Sequence, residues 1–452
     1  MLMKVIGQIF LTSNLINRLN IPLSQEITVR VGVKTACSRL IVRSRQRSSF
    51  MLSPQLAAYF NLKNTNKLHI RYDIDNDMIH IGPIIGVMTE YLPNRAEYSP
   101  KSVQAELIFL SKMGMRLPAK IFIFTPGSIN WARKTITGYN YQTINEEQGK
   151  WIAAVYPIPD VVYDRVASRR GDARSRVKYA KKRLMTMPYL KYFNPDFLNK
   201  WKVHCYLQQN EDLNPYLPET KKLNLANLDE MAGKYKSLYL KPCNGSLGIG
   251  IIKLTRNEDG KLRYTVYRAK KHSGLANSPE ALLDATKTSR RGWPYIVQEG
   301  INLDTFQHCA FDIRIIYQKD GHGEWTISKK FVRVAPLGSS VANMSRGGKA
   351  ETAVHVFNRI FKLNQELIEA KNEELSSLCR IVAETLEESS QKSYGELGLD
   401  VGIDTEGKFW LIEVNSKPRK TTETELSQDI VRNTFRRPLK YSIHLAGFKN
   451  RD

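Results

Sequence analysis

GELGLDVGIDTEGKFWLIEVNSKP, residues 395–418, decides how this chain is read. Two apolar runs flank the turn signal Thr405-Glu406-Gly407, which makes the stretch a β-hairpin. Set among the apolar residues are three hard-oxygen side chains, Asp400, Glu413 and Asn415. Carboxylates in such strands are costly to bury unless something offsets their charge. Mg2+ does so, accepting carboxylate and amide oxygens and completing its octahedron with water and phosphate. A solvated sheet face would hold the same residues without a metal. Strand parity bears on the choice: Glu413 and Asn415, two positions apart, share a face. A two-residue loop at Glu406-Gly407 puts Asp400 opposite Glu413, and a four-residue loop from Asp404 to Gly407 puts it opposite Leu411, both on the required face. A three-residue loop needs a compensating bulge. The expectation is an even register that brings the three side chains together.

Upstream, YLKPCNGSLGIGIIKL (239–254) places Lys241 at the end of an apolar strand, before Gly245, Ser246, Gly248 and Gly250. Glycines let backbone amides approach phosphate oxygens, and the lysine adds a point charge. The spacing is neither a Walker A loop nor a GxGxxG fingerprint. One Gly-Lys candidate, Gly348-Lys349, is followed by Ala350 and has Asn343 where Walker A needs its first glycine. Taken alone, the loop equally fits an ordinary hairpin with a surface lysine. Between these motifs lie FDIR (311–314), FVRV (331–334) and ANMSRGG (342–348). Asp312 and Arg314 alternate with apolar residues and share one strand face, where Arg314 could answer developing phosphate charge. Arg333 and Arg346 could do the same, and each could instead form a surface salt bridge.

Further out, short strands joined by tight turns recur from Tyr192 onward, including a hairpin through Asp259-Gly260 and another through Asp320-Gly321. Parallel neighbours need crossovers of about a dozen residues or more, so these strands are mostly antiparallel and this half is α+β. A long amphipathic helix carries Leu375, Leu378, Ile381, Val382 and Leu386. Residues 26–85 alternate short β-rich runs with turns, among them MIHIGPIIGV, which defines a small β-rich module over 1–85. Apolar strands alternating with helical stretches suggest an α/β unit over 86–191, leaving 192–452 as the third domain.

The 452 residues carry a formal charge of +24, and 42% are hydrophobic, which fits a soluble multidomain protein rather than a disordered one. No apolar run approaches the roughly 20 residues of a membrane span, so a cytoplasmic location without membrane partners is expected. Five scattered cysteines without a C-x-x-C pair argue against a zinc site or a disulfide framework. Ten basic residues and one acid lie between Arg165 and Lys191, a field that suits an anionic polymer or peptide and suits a solvated helix face as well.

The order of these motifs resembles the ATP-grasp superfamily, most closely its ribosomal-protein glutamate-ligase branch. The segments IGPIIGV, PIPDVVYDRVASR and YLPET are also similar to the YheC/YheD family, known as endospore coat-associated, over roughly residues 80–420. The resemblance implies an α+β ATP-grasp fold, two subdomains holding ATP between them, behind an α/β pre-ATP-grasp domain and the β-rich module. It implies ATP and one or two Mg2+ ions as cofactors, with Lys241 on the phosphates under the loop from Asn244 to Gly250. Gln298 and the backbone of Glu299, Gly300 and Ile301 would form the adenine hinge. Asp312 and Asn343 match nucleotide-side positions, and Asp400, Glu413 and Asn415 match the metal ligands. Lys200 sits where the family often has an Asp-Lys pair, with Asn199 here in place of the acid. The implied reaction is ligation of a carboxylate to an amine or thiol through an acylphosphate, with both substrates unidentified. A kinase that stops at a phosphate ester and a spore-coat structural protein with a vestigial nucleotide site are the alternatives; a nucleic-acid binder rests on charge alone.

Overall fold

The computed structural model describes residues 4–44, 49–144, 149–245, 248–268, 270–337, 348–422 and 427–450, and among these the strands gather into four sheets taken in chain order. The first holds β1 (Val5–Thr12), β2 (Glu26–Val31), β3 (Lys34–Arg43), β4 (Phe50–Leu52), β5 (His69–Asp73) and β6 (Met78–Gly82), ordered β4-β1-β3-β2-β6-β5. Helices α1 (Ser13–Leu19) and α2 (Pro54–Tyr59) pack on it through Leu15, Ile16 and Leu56. The run MIHIGPIIGV, expected as one stretch of the first module, is divided between two sheets: β6 ends at Gly82 and β7 (Ile84–Met88) begins the second. Pro83 has no N–H to give a ladder, so a single strand through it is disfavoured.

The second sheet adds β8 (Lys120–Phe124), β9 (Ile129–Asn130), β10 (Thr135–Thr143), β11 (Gly149–Pro157), β12 (Val161–Asp164) and β13 (Lys191–Phe193). Its centre, β8-β7-β12-β13, is parallel. The crossovers are α3 (Val103–Gly114), and the pair α4 (Arg169–Asp172) and α5 (Ser175–Met185). Each helix buries the stripe that its period dictates: Leu107, Leu110 and Met113 on α3; Val177, Ala180 and Leu184 on α5.

After α6 (Lys200–Leu207), the third sheet is antiparallel throughout, in the order β14-β19-β15-β16-β17-β18. Its strands are β14 (Thr220–Lys222), β15 (Ser237–Pro242), β16 (Ile251–Arg256), β17 (Leu262–Tyr267), β18 (His272–Ala276) and β19 (Tyr295–Glu299), with α7 (Leu225–Lys234) and α8 (Pro279–Arg290) on one face. The fourth sheet is also antiparallel, ordered β23-β22-β21-β24-β25 with β20 beside β21. It contains β20 (Thr305–Phe306), β21 (Cys309–Lys319), β22 (Trp325–Val334), β23 (Lys349–Thr352), β24 (Glu396–Ile403) and β25 (Phe409–Asn415). Helices α9 (Ala353–Ile360) and α10 (Gln365–Ser390) cover its apolar face, where Leu375, Leu378, Val382 and Leu386 meet Ile313, Ile315, Leu399 and Val401. The opposite face is left for polar side chains.

The chain does not close on the hairpin. A further helix, α11 (Gln428–Leu445), packs Val431, Phe435 and Leu439 into the core that α3 shares with the second sheet. Gln318 of β21 donates to the Thr434 carbonyl at 2.8 Å, so α11 also touches the fourth sheet.

Candidate functional site

The hairpin reaches the expected pairing by another route. Asp404 N–H donates to the Lys408 carbonyl at 3.0 Å around a three-residue loop, Thr405 to Gly407. Pairing then runs Ile403 with Phe409, Gly402 with Trp410 and Val401 with Leu411, and slips so that Asp400 faces Glu413 and Gly398 faces Asn415. Ile412 is the extra residue of a bulge, which restores the parity that an odd loop would lose. The Asp404 carboxylate fixes the turn by accepting from the amides of Glu406 (3.0 Å) and Lys408 (2.9 Å) and from Trp410 Nε1 (2.8 Å).

Cross-strand register fills the same face with charge. Asp312 pairs with Arg333, and Arg314 lies between Phe331 and Asp400. Arg333 holds Asp312 through Nε at 2.6 Å and Nη2 at 2.7 Å, and its Nη2 is also 3.0 Å from Asp400 Oδ2. Arg314 Nη2 donates to Asp400 Oδ2 at 3.2 Å; its Nε stands 2.6 Å from Oδ1 without hydrogen-bond alignment, so that contact is a charge contact and buried Oδ1 remains without a hydrogen bond. Asp400 sits between two guanidinium groups, and Glu413 Oε1 accepts from Lys200 Nζ at 2.7 Å.

Lys200 joins the third and fourth sheets. It is the first residue of α6, whose N-cap Asn199 accepts from the Lys202 amide at 3.1 Å, and its Nζ also donates to the Gly245 carbonyl at 3.3 Å. Asn199 thus serves the helix end in place of the acid of an Asp-Lys pair. Lys241 is buried, and its Nζ donates to Gln298 Oε1 at 2.5 Å; Gln298 in turn donates to Thr220 Oγ1 at 2.9 Å. Burial, reinforced by the neighbouring Lys200 charge and opposed by Glu413 and Asp400, pushes the Lys241 ammonium down to about 8. Burial likewise raises Asp312 to about 6 against the pull of Arg333. Glu413 moves the other way: burial would raise it, and the Lys200 charge and hydrogen bond prevail, leaving it below the usual carboxylate range.

A cavity of about 50 Å³ lies between the two sheets, lined by Thr220, Lys241 and Gln298 on one side and Leu411, Glu413 and Val414 on the other. Thr220 and His204, which also borders it, had no motif to mark them in the sequence. The amides of Glu299 and Gly300 are already donated to the carbonyls of Glu219 and Ser237, both at 2.9 Å, so a base edge would meet the rest of that segment. Gly250, at φ +82°, could not take a side chain: a Cβ there would lie 2.9 Å from the Tyr295 hydroxyl. Ser246, Asn343 and Arg346 lie outside the described residues.

Among the described residues no three His, Cys, Asp or Glu side chains cluster at metal-holding distance. The hairpin's own donor set on this face is the Asp400 and Glu413 carboxylates and the Asn415 amide, Asp312 being held by Arg333. It fits Mg2+, which takes few protein ligands and hard oxygens, and the Asp400 Oδ1 that lacks a hydrogen bond is a donor of that kind.

Part of the basic stretch is structural. Arg165 is buried against Glu106 and Glu396, and Lys181 against Asp164 and Asp172. The surface cations are Arg170, Arg174, Arg176, Lys178, Lys182, Arg183 and Lys191.

Two antiparallel sheets, with cations and hard-oxygen acceptors converging between them, make this an ATP-grasp fold. The model of the YheC/D-like ATP-grasp family matches residues 189–445, more than half of the chain, and the protein belongs to that family. The endospore coat-associated protein YheD of Bacillus subtilis is 29% identical over 418 residues, covering 92% of this chain and 90% of the relative. Endospore coat-associated protein YheC of the same organism is 26% identical over 369 residues, covering 80% and 95%. Solved structures with similar folds include D-alanyl-alanine synthetase A from Vibrio cholerae, at 13% identity and TM-score 0.43, covering 81% of this chain and 98% of that one. The VanG D-Ala:D-Ser ligase from Enterococcus faecalis is similar at 12% identity and TM-score 0.45, covering 81% and 99%. Among the described residues no helix is long and apolar enough to cross a membrane.

Proposed function

We propose that this protein is an ATP- and magnesium-dependent ligase that activates a carboxylate as an acylphosphate and passes it to an amine or thiol. The observation that supports it most is the bridge from Lys200 to Glu413 at 2.7 Å, beside Lys241, across a cavity bounded by both sheets. ATP would enter between the two sheets where that cavity opens, with its phosphates toward Lys241 and Lys200. Asp400, Glu413 and Asn415 would hold magnesium, which would supply charge neutralisation along the phosphates. A carboxylate oxygen of the substrate attacks the γ-phosphorus, the bond to ADP breaks, and the acylphosphate forms. The nucleophile then adds to the acyl carbon, inorganic phosphate leaves, and the amine loses its proton to solvent. Arg314 and Arg333 face the transferring group and balance its charge, which this chemistry needs more than it needs an acid or a base. A role at the spore coat follows only from the names of its relatives.

The test is ADP release with Mg-ATP against panels of amino acids, acidic peptides and polyamines, with mass spectrometry of the products. A ligase gives steady ADP release only when carboxylate and nucleophile are both present, and its product has lost water relative to the two substrates. A stable phosphate ester formed on a substrate hydroxyl, with neither amine nor thiol present, would identify a kinase instead.

A further inference from the structure

Arg169, the first residue of α4, projects from the second sheet toward the nucleotide site. Its Nη2 donates to the Leu198 carbonyl at 2.6 Å, and its guanidinium lies 5.1 Å from the centre of the Phe197 ring. Leu198 immediately precedes Asn199 and Lys200, and the fields of Glu413 and Asp172 both reach Arg169. Asp172 is engaged by Lys181 and by Lys417, the latter at 3.6 Å. Among the described residues Arg169 forms no ion pair, and its buried Nε has no hydrogen-bond partner.

From α4 the chain enters α5, which contains no acidic residue. Lys178 and Lys182 are exposed one turn apart on α5, and Arg174, the N-cap residue in extended backbone, is exposed just before the first turn, so the three make a basic stripe that starts at the helix N-terminus. Over eight positions the stripe is about 12 Å long, the span of three or four residues of extended peptide. Arg174 is 2.8 Å from Glu90, while Lys178 and Lys182 have no ion pair among the described residues. Like charges at this spacing weaken a helix, so the stripe does nothing for α5 itself.

We propose that an acidic polypeptide lies along this stripe and delivers one of its carboxylates to Arg169, beside the phosphate-handling end of the site. The inference rests on the ligase reading in one respect: a substrate there must present a carboxylate for activation, which a nucleic acid cannot do. The carboxylate is a side chain or the chain end, and both share the chemistry that Arg169 would recognise.

A fluorescein-labelled peptide of glutamates tests this with the full chain. Anisotropy should show binding that weakens steeply between about 50 and about 200 mM salt. Arg174→Ser, Lys178→Ser and Lys182→Ser together should weaken binding at least about tenfold and flatten its salt dependence. Arg169→Gln should keep peptide affinity within about threefold and lose the ADP release that the peptide supports in the presence of the amine panel, with partial rescue by Arg169→Lys. A C-terminally amidated peptide that still drives ADP release assigns the carboxylate to a side chain; loss of release assigns it to the chain end. Stripe-dependent peptide binding without ADP release under any condition would support this surface and contradict the ligase reading. Peptide binding indifferent to the triple substitution, or a single-stranded DNA of equal charge binding through the same residues more tightly than the peptide, would overturn the proposal.

Discussion

Asp400 has partners before any metal arrives, and this changes what its removal should do. With Arg314 and Arg333 both against it, Asp400→Ala leaves two largely buried guanidinium groups without their shared counter-charge. Breaking such a pair costs about 3–5 kcal/mol, so the alanine variant should melt at markedly lower urea. Asp400→Asn, which keeps the shape and a hydrogen-bonding oxygen, should lose less stability while losing magnesium-dependent turnover. Equal urea midpoints for wild type and Asp400→Ala would show that the arginines do not depend on it. Lys241 gives a second expectation at this scale. Its ammonium titrates near 8 in the folded chain against 10.5 when free, so between those values the folded state holds fewer protons than the unfolded one and apo stability rises with pH. Phosphate favours the charged form, so above about pH 8 nucleotide binding should take up close to one proton. Calorimetry in two buffers of different ionisation enthalpy reads that uptake, and an uptake of zero at pH 9 would remove Lys241 from the phosphates.

At the scale of elements, the hairpin shows what a strand pattern can and cannot reveal. The alternation of apolar and oxygen-bearing residues was legible, and so was the shared face of Glu413 and Asn415. The bulge at Ile412 was not, because an inserted aliphatic residue between Leu411 and Glu413 looks like any other strand position. The turn depends on the Asp404 carboxylate, which caps two amides and the Trp410 ring nitrogen. Asp404→Ala should therefore loosen the loop, cost about 1–3 kcal/mol, and raise the magnesium concentration needed for half-maximal turnover. Unchanged stability and magnesium dependence would mean that the register is held by strand packing alone. Lys200 was marked only by resemblance, and what the structure adds is its contact with Glu413; the capping role of Asn199 is one that an aspartate would fill as well. The division of MIHIGPIIGV at Pro83 was available from proline chemistry and still escaped a reading that followed hydrophobicity.

Across the whole molecule, the residues just beyond Asn415 fasten the hairpin of β24 and β25 to the second sheet. Lys417 Nζ lies 2.7 Å from Asp164, Lys420 Nζ 2.6 Å from Glu396, and Arg165 joins Glu396 at 2.6 Å while donating to the Pro418 carbonyl at 3.2 Å. Nothing local in the sequence announced this network, since Arg165 and Glu396 are 231 positions apart. Nor did it announce α11, which carries Pro438 in its interior, a residue that ordinarily ends a helix. The sequence did show the sheets and their hairpins, because turns and alternation are local; which sheet meets which is decided by partners far along the chain. Arg165→Met would leave Glu106 without its guanidinium and Glu396 with only part of its counter-charge. It should destabilise the chain by about 3–5 kcal/mol in urea melts, and a loss below about 1 kcal/mol would show that the network is dispensable. In the reading proposed above, the third and fourth sheets hold Mg-ATP between Lys241 and the Asp400, Glu413 and Asn415 face. Titration calorimetry of ATP with and without magnesium tests it most directly, on wild type, Lys241→Met and Glu413→Gln. Magnesium-dependent binding in the wild type, weakened at least about tenfold by Lys241→Met and made insensitive to magnesium by Glu413→Gln, is the predicted result. Binding of equal strength and equal magnesium dependence in all three folded proteins, or no binding in any, would contradict it.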